Sequence, residues 1–285
     1  MEVPVLQARR CVRTMRGRSQ ARLIEVESGR QYVLKLNNNP RGGPRVLINE
    51  LLSSIILTEL RVLTPEPAIV VTDSLPGLPD GLHFGSQFPS QAPSVWDFFP
   101  DAMLYRVRNL DHFRGALVAD IWLSACEARQ GIFYRSADSA VTIGSFQPGQ
   151  WVVSMIGNAS AFQGPSWTLS DVPRPGWYLR PKGYGGSLSI ESFAPWLDAL
   201  IDFPRHVLTS ACDLVPREWA DGDELALMRL IEDLYVRRNR VPQLLQAAIT
   251  HIAATSAKNP TRSPQITPAR QSDGRGLLPN TSISM

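Results

Sequence analysis

The chain predicts an α+β fold of two lobes: an N-terminal antiparallel sheet with one helix, then a mainly helical C-terminal part. Three patterns carry the prediction. Residues 21–26 and 31–36 read as strands joined by a turn at Ser28, Gly29 and Arg30. Residues 46–60 change to helical spacing, with Leu47, Leu51 and Ile55 in one apolar row and Ile48, Leu52 and Ile56 in the next. Beyond residue 112 the apolar stripes are helical, apart from one strand-rich stretch between residues 131 and 156. The lobes divide into residues 1–100 and 101–255, followed by a tail over 256–285.

Composition narrows the function classes. At 285 residues, 44% hydrophobic and 19% charged, the chain can bury a large core. No apolar run approaches about 18 residues, and the first residues lack a signal-peptide core, so a membrane role is not expected. Cys11, Cys126 and Cys212 are odd in number and far apart, which suits a reducing cytoplasm. His83, His112, His206 and His251 show no zinc-ligand spacing. The net charge of +3 resides in the tail, where Lys258, Arg262, Arg270 and Arg275 face only Asp273. A basic tail without aromatic residues gives little reason to expect nucleic-acid binding.

Ahead of the first strand, Gly17 and Ser19 fit either a phosphate-cradling loop or an ordinary turn. In the second strand Tyr32, Leu34 and Leu36 share one face, which leaves Lys35 on the other with Gln31 and Val33. An ammonium in so apolar a strand needs water, as on an edge strand, or a partner. Glu50, at the margin of the next helix's apolar face, is either that partner or a solvated helix residue. A strand lysine paired with a carboxylate from the following helix is the order used to hold the α- and β-phosphates of ATP in kinases.

Residues 37–44 are loop by composition. Residues 113–126 then form a helix, with Leu117, Val118, Ile121, Trp122 and Ala125 on one stripe. A polar run from Glu127 to Gln130 and a strand at Ile132, Phe133 and Tyr134 follow, an arrangement that holds catalytic groups rigidly. Cys126 beside this run has no paired histidine and reads as a packed thiol. Strands over 131–135, 140–144 and 151–156 are expected to form a meander whose last strand ends beside Glu127.

Residues 170–189 are a Pro- and Gly-rich connection. Phe193, Trp196, Leu197 and Leu200 mark a core helix over 190–200. Asp221 and Glu224 have the spacing of a capping box, opening a helix with Leu225, Met228, Ile231, Leu234 and Tyr235 inward. A last helix is expected over 242–254. Arg237, Arg238 and Arg240 read as cations at a helix C-terminus rather than as a phosphate patch. The tail, with 18 Ser, Thr, Pro, Gly, Asn or Gln among its 30 residues, cannot build a core and is expected to be disordered.

Several of these segments together resemble the HipA-like kinases, from about residue 15 to residue 245. Asp120, Trp122, Arg129 and Gln130 match the family's D-x-W-x-x-N-x-D-x-R-Q catalytic loop, with Ala125 in place of Asn and Glu127 in place of the catalytic Asp. Tyr32 to Leu36, Asn39 with Pro40, and Ile48, Asn49 and Glu50 are similar to Y-V-V-K-F, N-P and L-x-N-E. Met155, Ile156, Phe162, Gly164 and Trp167 fit M-I-D-x-G-x-x-F-x-G-x-x-W, but Gly157 replaces the metal-binding Asp.

The resemblance implies a two-lobed protein-kinase-like fold. Gly17, Ser19, Lys35 and Glu50 would serve ATP, and Glu127, Arg129 and Gln130 would stand at the catalytic position. Mg²⁺ needs carboxylate oxygens in near-octahedral geometry. Gly157 and Ala125 offer no side-chain ligand, and Glu127 shifts its carboxylate by one methylene. Together these exchanges imply a degenerate kinase that binds nucleotide or protein. The alternative is an active serine/threonine kinase with relocated Mg²⁺ ligands, drawn from Asp120, Glu127, Asp138, Asn158 and Asp171, with Asp120 better suited to anchoring its helix. HipA toxins carry an additional N-terminal lobe that meets a DNA-binding antitoxin. No such partner is expected of a chain that opens almost at the nucleotide loop.

Overall fold

The computed structural model describes residues 2–15, 19–92, 94–136, 149–171, 177–186 and 188–258. Gly17, Asp138, the expected strand over 140–144 and nearly all of the tail lie outside them.

The N-terminal strands are β1 (Val5–Thr14), β2 (Arg22–Val26), β3 (Gln31–Lys35), β4 (Pro67–Thr72) and β5 (Gly81–Gln87). They close into a barrel in the order β1-β2-β3-β5-β4. All pairings are antiparallel except β1 with β4, so the expected antiparallel sheet carries one parallel seam. β3 lies between β2 and β5, which removes the edge-strand reading of Lys35. Tyr32, Leu34 and Leu36 point into the barrel, where they join Ile24, Val26, Ala68 and Val70 in a small core of its own.

Helix α1 (Pro44–Glu59) leaves the barrel and enters the main core. It is buried on almost every side, Asn49 and Glu50 included, because the barrel covers one face and the C-terminal part the other. Strand β6 (Val95–Trp96) pairs with β7 (Gln130–Arg135), which pairs directly with β8 (Trp151–Ile156). The three-stranded sheet therefore takes its outer strand from upstream, and nothing is inserted between β7 and β8. Gln130 sits opposite Ile156, so β8 does end beside the polar run, as the meander required.

Helix α2 (His112–Trp122) is buried between this sheet and the remaining helices. These are α3 (Ala194–Ile201), α4 (Arg205–Asp213), α5 (Arg217–Ala220), α6 (Glu224–Arg237) and α7 (Val241–Lys258), which extends into the first residues assigned to the tail. Trp122 donates its indole N–H to the Leu234 carbonyl at 2.8 Å and stacks edge-on against Phe203.

Two expectations about α6 fail. Its N-cap is Asp223 rather than Asp221, and no side chain caps it, because Arg45 takes the Asp223 carboxylate in a two-pronged pair. Leu225 and Met228 face solvent, 72% and 64% exposed, while Leu227, Leu230, Ile231 and Leu234 face the core. The sequence holds two overlapping apolar stripes on this helix. Packing against α4 and the main core selects the second.

Candidate functional site

Lys35 leaves β3 as the barrel wall meets α1, and its ammonium forms an ion pair with the Glu50 carboxylate. Both side chains are buried or nearly so, so the pair is held away from bulk water. The other Glu50 oxygen accepts the backbone N–H of Asn158 at 3.3 Å. The lysine is thereby linked through α1 to the segment that follows β8.

That segment opens with Gly157 in the left-handed region, at φ 86° and ψ 45°. A Cβ there would meet the Gln130 side chain at ordinary contact distance, so the turn is set by backbone conformation and not by crowding. Asn158 uses its side chain as well: its Oδ1 accepts from Arg129 at 2.6 Å and its Nδ2 donates to Ser54 at 3.4 Å.

Arg129 is fully committed. It forms a two-pronged pair with Asp120 and donates to the Ile156 carbonyl at 3.1 Å, with both members of the pair buried. Burial pushes the Asp120 carboxyl up, against the opposing pull of Arg129. Asp120 thus anchors its helix to the loop, the role favoured for it in the sequence. A continuous polar chain runs Lys35, Glu50, Asn158, Arg129, Asp120 and ties β3, α1, the β8 turn and the polar run into one frame.

Glu127 stands outside this frame. Its carboxylate takes a two-pronged pair from Arg41, in the loop between β3 and α1, with one N–O distance of 3.2 Å. The pair is only partly covered, with side chains 34% and 38% exposed. Hydrogen bonding to Glu127 raises the Arg41 pKa against a smaller loss from burial. Cys126 next to it is exposed rather than packed, and partial desolvation and the Glu127 charge push its thiol up, the opposite of nucleophile activation. Sequence reasoning passed over Arg41, and no local spacing relates it to a glutamate 86 residues away.

Gln130 pairs through its backbone with β8 and its side chain lies along Gly157. Ala125 is buried, and its loop is covered by residues 160–163: Cys126 N–H donates to Ser160 O at 3.1 Å, Phe162 N–H to Leu123 O at 2.6 Å, and Gln163 Nε2 to Ser124 O at 2.8 Å. Asn49 fixes the same segment from α1, donating to Ala161 O at 3.0 Å and Gly164 O at 2.9 Å and accepting from Trp167 at 2.8 Å. Ser19 is half-buried in the turn before β2, and no hydrogen bond joins it to the frame among the described residues.

Asp171 is paired with Arg237 and Arg240. Arg237 is buried and donates to Ile121 O at 3.2 Å, Trp122 O at 3.1 Å and Ser170 O at 2.8 Å. It therefore closes the C-terminus of α2 rather than its own helix, supplying donors to carbonyls that have no partner within their helix. Among the described residues, no three His, Cys, Asp or Glu side chains converge as a metal site would require. No helix among them is long and apolar enough to cross a membrane.

No protein-family model and no curated protein matches this sequence. Among solved structures, the chain is similar to the proinflammatory kinase CtkA of Helicobacter pylori, with a TM-score of 0.53 and 13% identity over 87% of this chain and 99% of that one. A Golgi casein kinase gives a TM-score of 0.43 at 9% identity, covering 90% of this chain and 76% of that one. The fold assignment rests on the first. The chain has an α+β, two-lobed, kinase-like fold.

Proposed function

We propose that this kinase-fold protein is a catalytically degenerate, HipA-like nucleotide-binding module rather than a phosphotransferase. The observation that carries the reading is a division between two ion pairs. The Lys35–Glu50 pair, which would position phosphates, is formed and braced by Asn158. The positions that would hold Mg²⁺ present Gly157 and Ala125, which have no ligand atoms, and the Glu127 carboxylate is engaged by Arg41.

The donor set therefore suits the phosphates of ATP but not Mg²⁺. Bound ATP would bring an anionic polyphosphate to Lys35, while Glu50 keeps the ammonium in place. Without a metal bridging the β- and γ-phosphates, little favours transfer, because the chemistry of such sites is mainly positioning and charge neutralisation. The active-kinase alternative would need a new carboxylate, and Asp120, Glu127 and Asp171 are each held by arginine.

A calorimetric titration of ATP, with and without Mg²⁺, tests the reading. ATP binding that is indifferent to Mg²⁺ and lost in Lys35→Ala is the expected result, with no phosphate transferred to a protein acceptor. Robust Mg·ATP-dependent phosphotransfer abolished by Lys35→Ala would overturn it.

A further inference from the structure

We infer that Arg41 is the built-in counter-cation for a metal-free nucleoside polyphosphate, and that Glu127 holds it in reserve. The inference rests on the nucleotide-binding reading above and assigns the charge that such a site lacks.

A polyphosphate in a partly desolvated cleft needs cations close to it. Lys35 already shares its charge with Glu50. Arg41 follows Lys35 by six residues on the same β3–α1 connection and reaches Glu127 on the polar run. Glu127 lies three residues before Gln130, whose strand partner is Ile156, and Glu50 accepts the N–H of Asn158. The Lys35–Glu50 pair holds Asn158, and Cys126, next to Glu127, donates its N–H to Ser160 O at 3.1 Å, so both pairs border the segment that follows β8.

A guanidinium matches phosphate oxygens in the two-pronged manner in which it now holds the carboxylate. The same loop also holds a buried donor with no described protein partner. Asn39 is buried, its Oδ1 accepts the Arg41 backbone N–H at 2.9 Å, and its Nδ2 has no partner among the described residues. The loop itself is wedged in place, since a Cβ on Gly42 would lie 2.6 Å from Pro165 Cβ. Exchange of partners therefore requires only that the Arg41 side chain swing.

The partly exposed pair with Glu127 is weak enough to be displaced, costing a ligand about fivefold in affinity or less. On this account the carboxylate at the family's catalytic position competes with the nucleotide instead of assisting transfer.

Titrating ATP in EDTA into the full chain and into Lys35→Ala, Arg41→Gln and Glu127→Gln, each checked for an unchanged melting transition, reads the two pairs separately. Arg41→Gln should weaken ATP about tenfold or more, the loss of a charge-assisted contact. Glu127→Gln should tighten it about threefold by freeing the guanidinium. If Lys35→Ala weakens ATP while Arg41→Gln does not, or if Glu127→Gln weakens it, this inference is overturned and the nucleotide reading stands. If neither the native chain nor Glu127→Gln binds ATP, both are overturned.

Discussion

Arg129–Asp120 and Arg41–Glu127 are both two-pronged arginine–carboxylate pairs, and their acceptor or donor residues lie two positions apart on the polar run. The first closes over nine residues, is almost wholly buried, and has its remaining donors taken by Ile156 and Asn158. The second joins residues far apart in the chain, and about a third of each side chain is open to water. Identical chemistry gives a fixed frame in one case and an exchangeable contact in the other. The difference is desolvation. A buried charge cannot leave its partner without a large penalty, whereas a partly exposed one exchanges it for water or for another anion at little cost.

The largest effect should follow from opening the buried pair. Asp120→Ala leaves Arg129 charged and uncompensated, and chemical denaturation should register a loss of about 3–5 kcal/mol. A loss below about 1 kcal/mol would show that the pair is no frame at all.

An intermediate effect should come from acid, through two other buried groups. Burial lowers the pKa of His83 and of His112, and each accepts a backbone N–H on Nδ1, from Asn37 at 3.0 Å and from Leu63 at 2.8 Å. The unfolded chain takes up these protons near pH 6.5 and the folded chain only at lower pH. Between those values the unfolded state binds more protons, so stability is full above about pH 6.5 and declines as the pH falls below it. Urea midpoints measured from pH 7.5 to 5.5 should decline in this way, and less steeply in His83→Gln. A flat profile would contradict the burial of these imidazoles.

The smallest effect belongs to the open pair. Arg41→Ala should cost folding about 1 kcal/mol or less, diminishing further in high salt. A cost comparable to that of Asp120→Ala would erase the contrast between the two pairs.

Much of the frame was legible because it is local. Alternation at Tyr32, Leu34 and Leu36 and helical spacing from Leu47 to Ile56 placed Lys35 and Glu50 on adjoining elements, and the structure joins them. The stripe from Leu117 to Trp122 likewise gave α2 and the polar run after it. Strand β1 was missed because Arg9, Arg10 and Arg13 interrupt its pattern, and its outer half is exposed on both faces. Alternation cannot name pairing partners, so nothing in the sequence shows that Val95–Trp96 flanks β7 or that β7 and β8 pair directly.

What the sequence alone determined, then, is the identity and order of β2, β3, α1, α2, α6 and α7 and the nearness of Lys35 to Glu50, since periodicity and short motifs are properties of neighbouring residues. Tertiary structure decided which of two apolar stripes on α6 turned inward, that Arg237 would close another helix's end, and that Arg41 would reach Glu127. Those outcomes depend on desolvation and on partners distant in the chain, and neither exists until the core has closed.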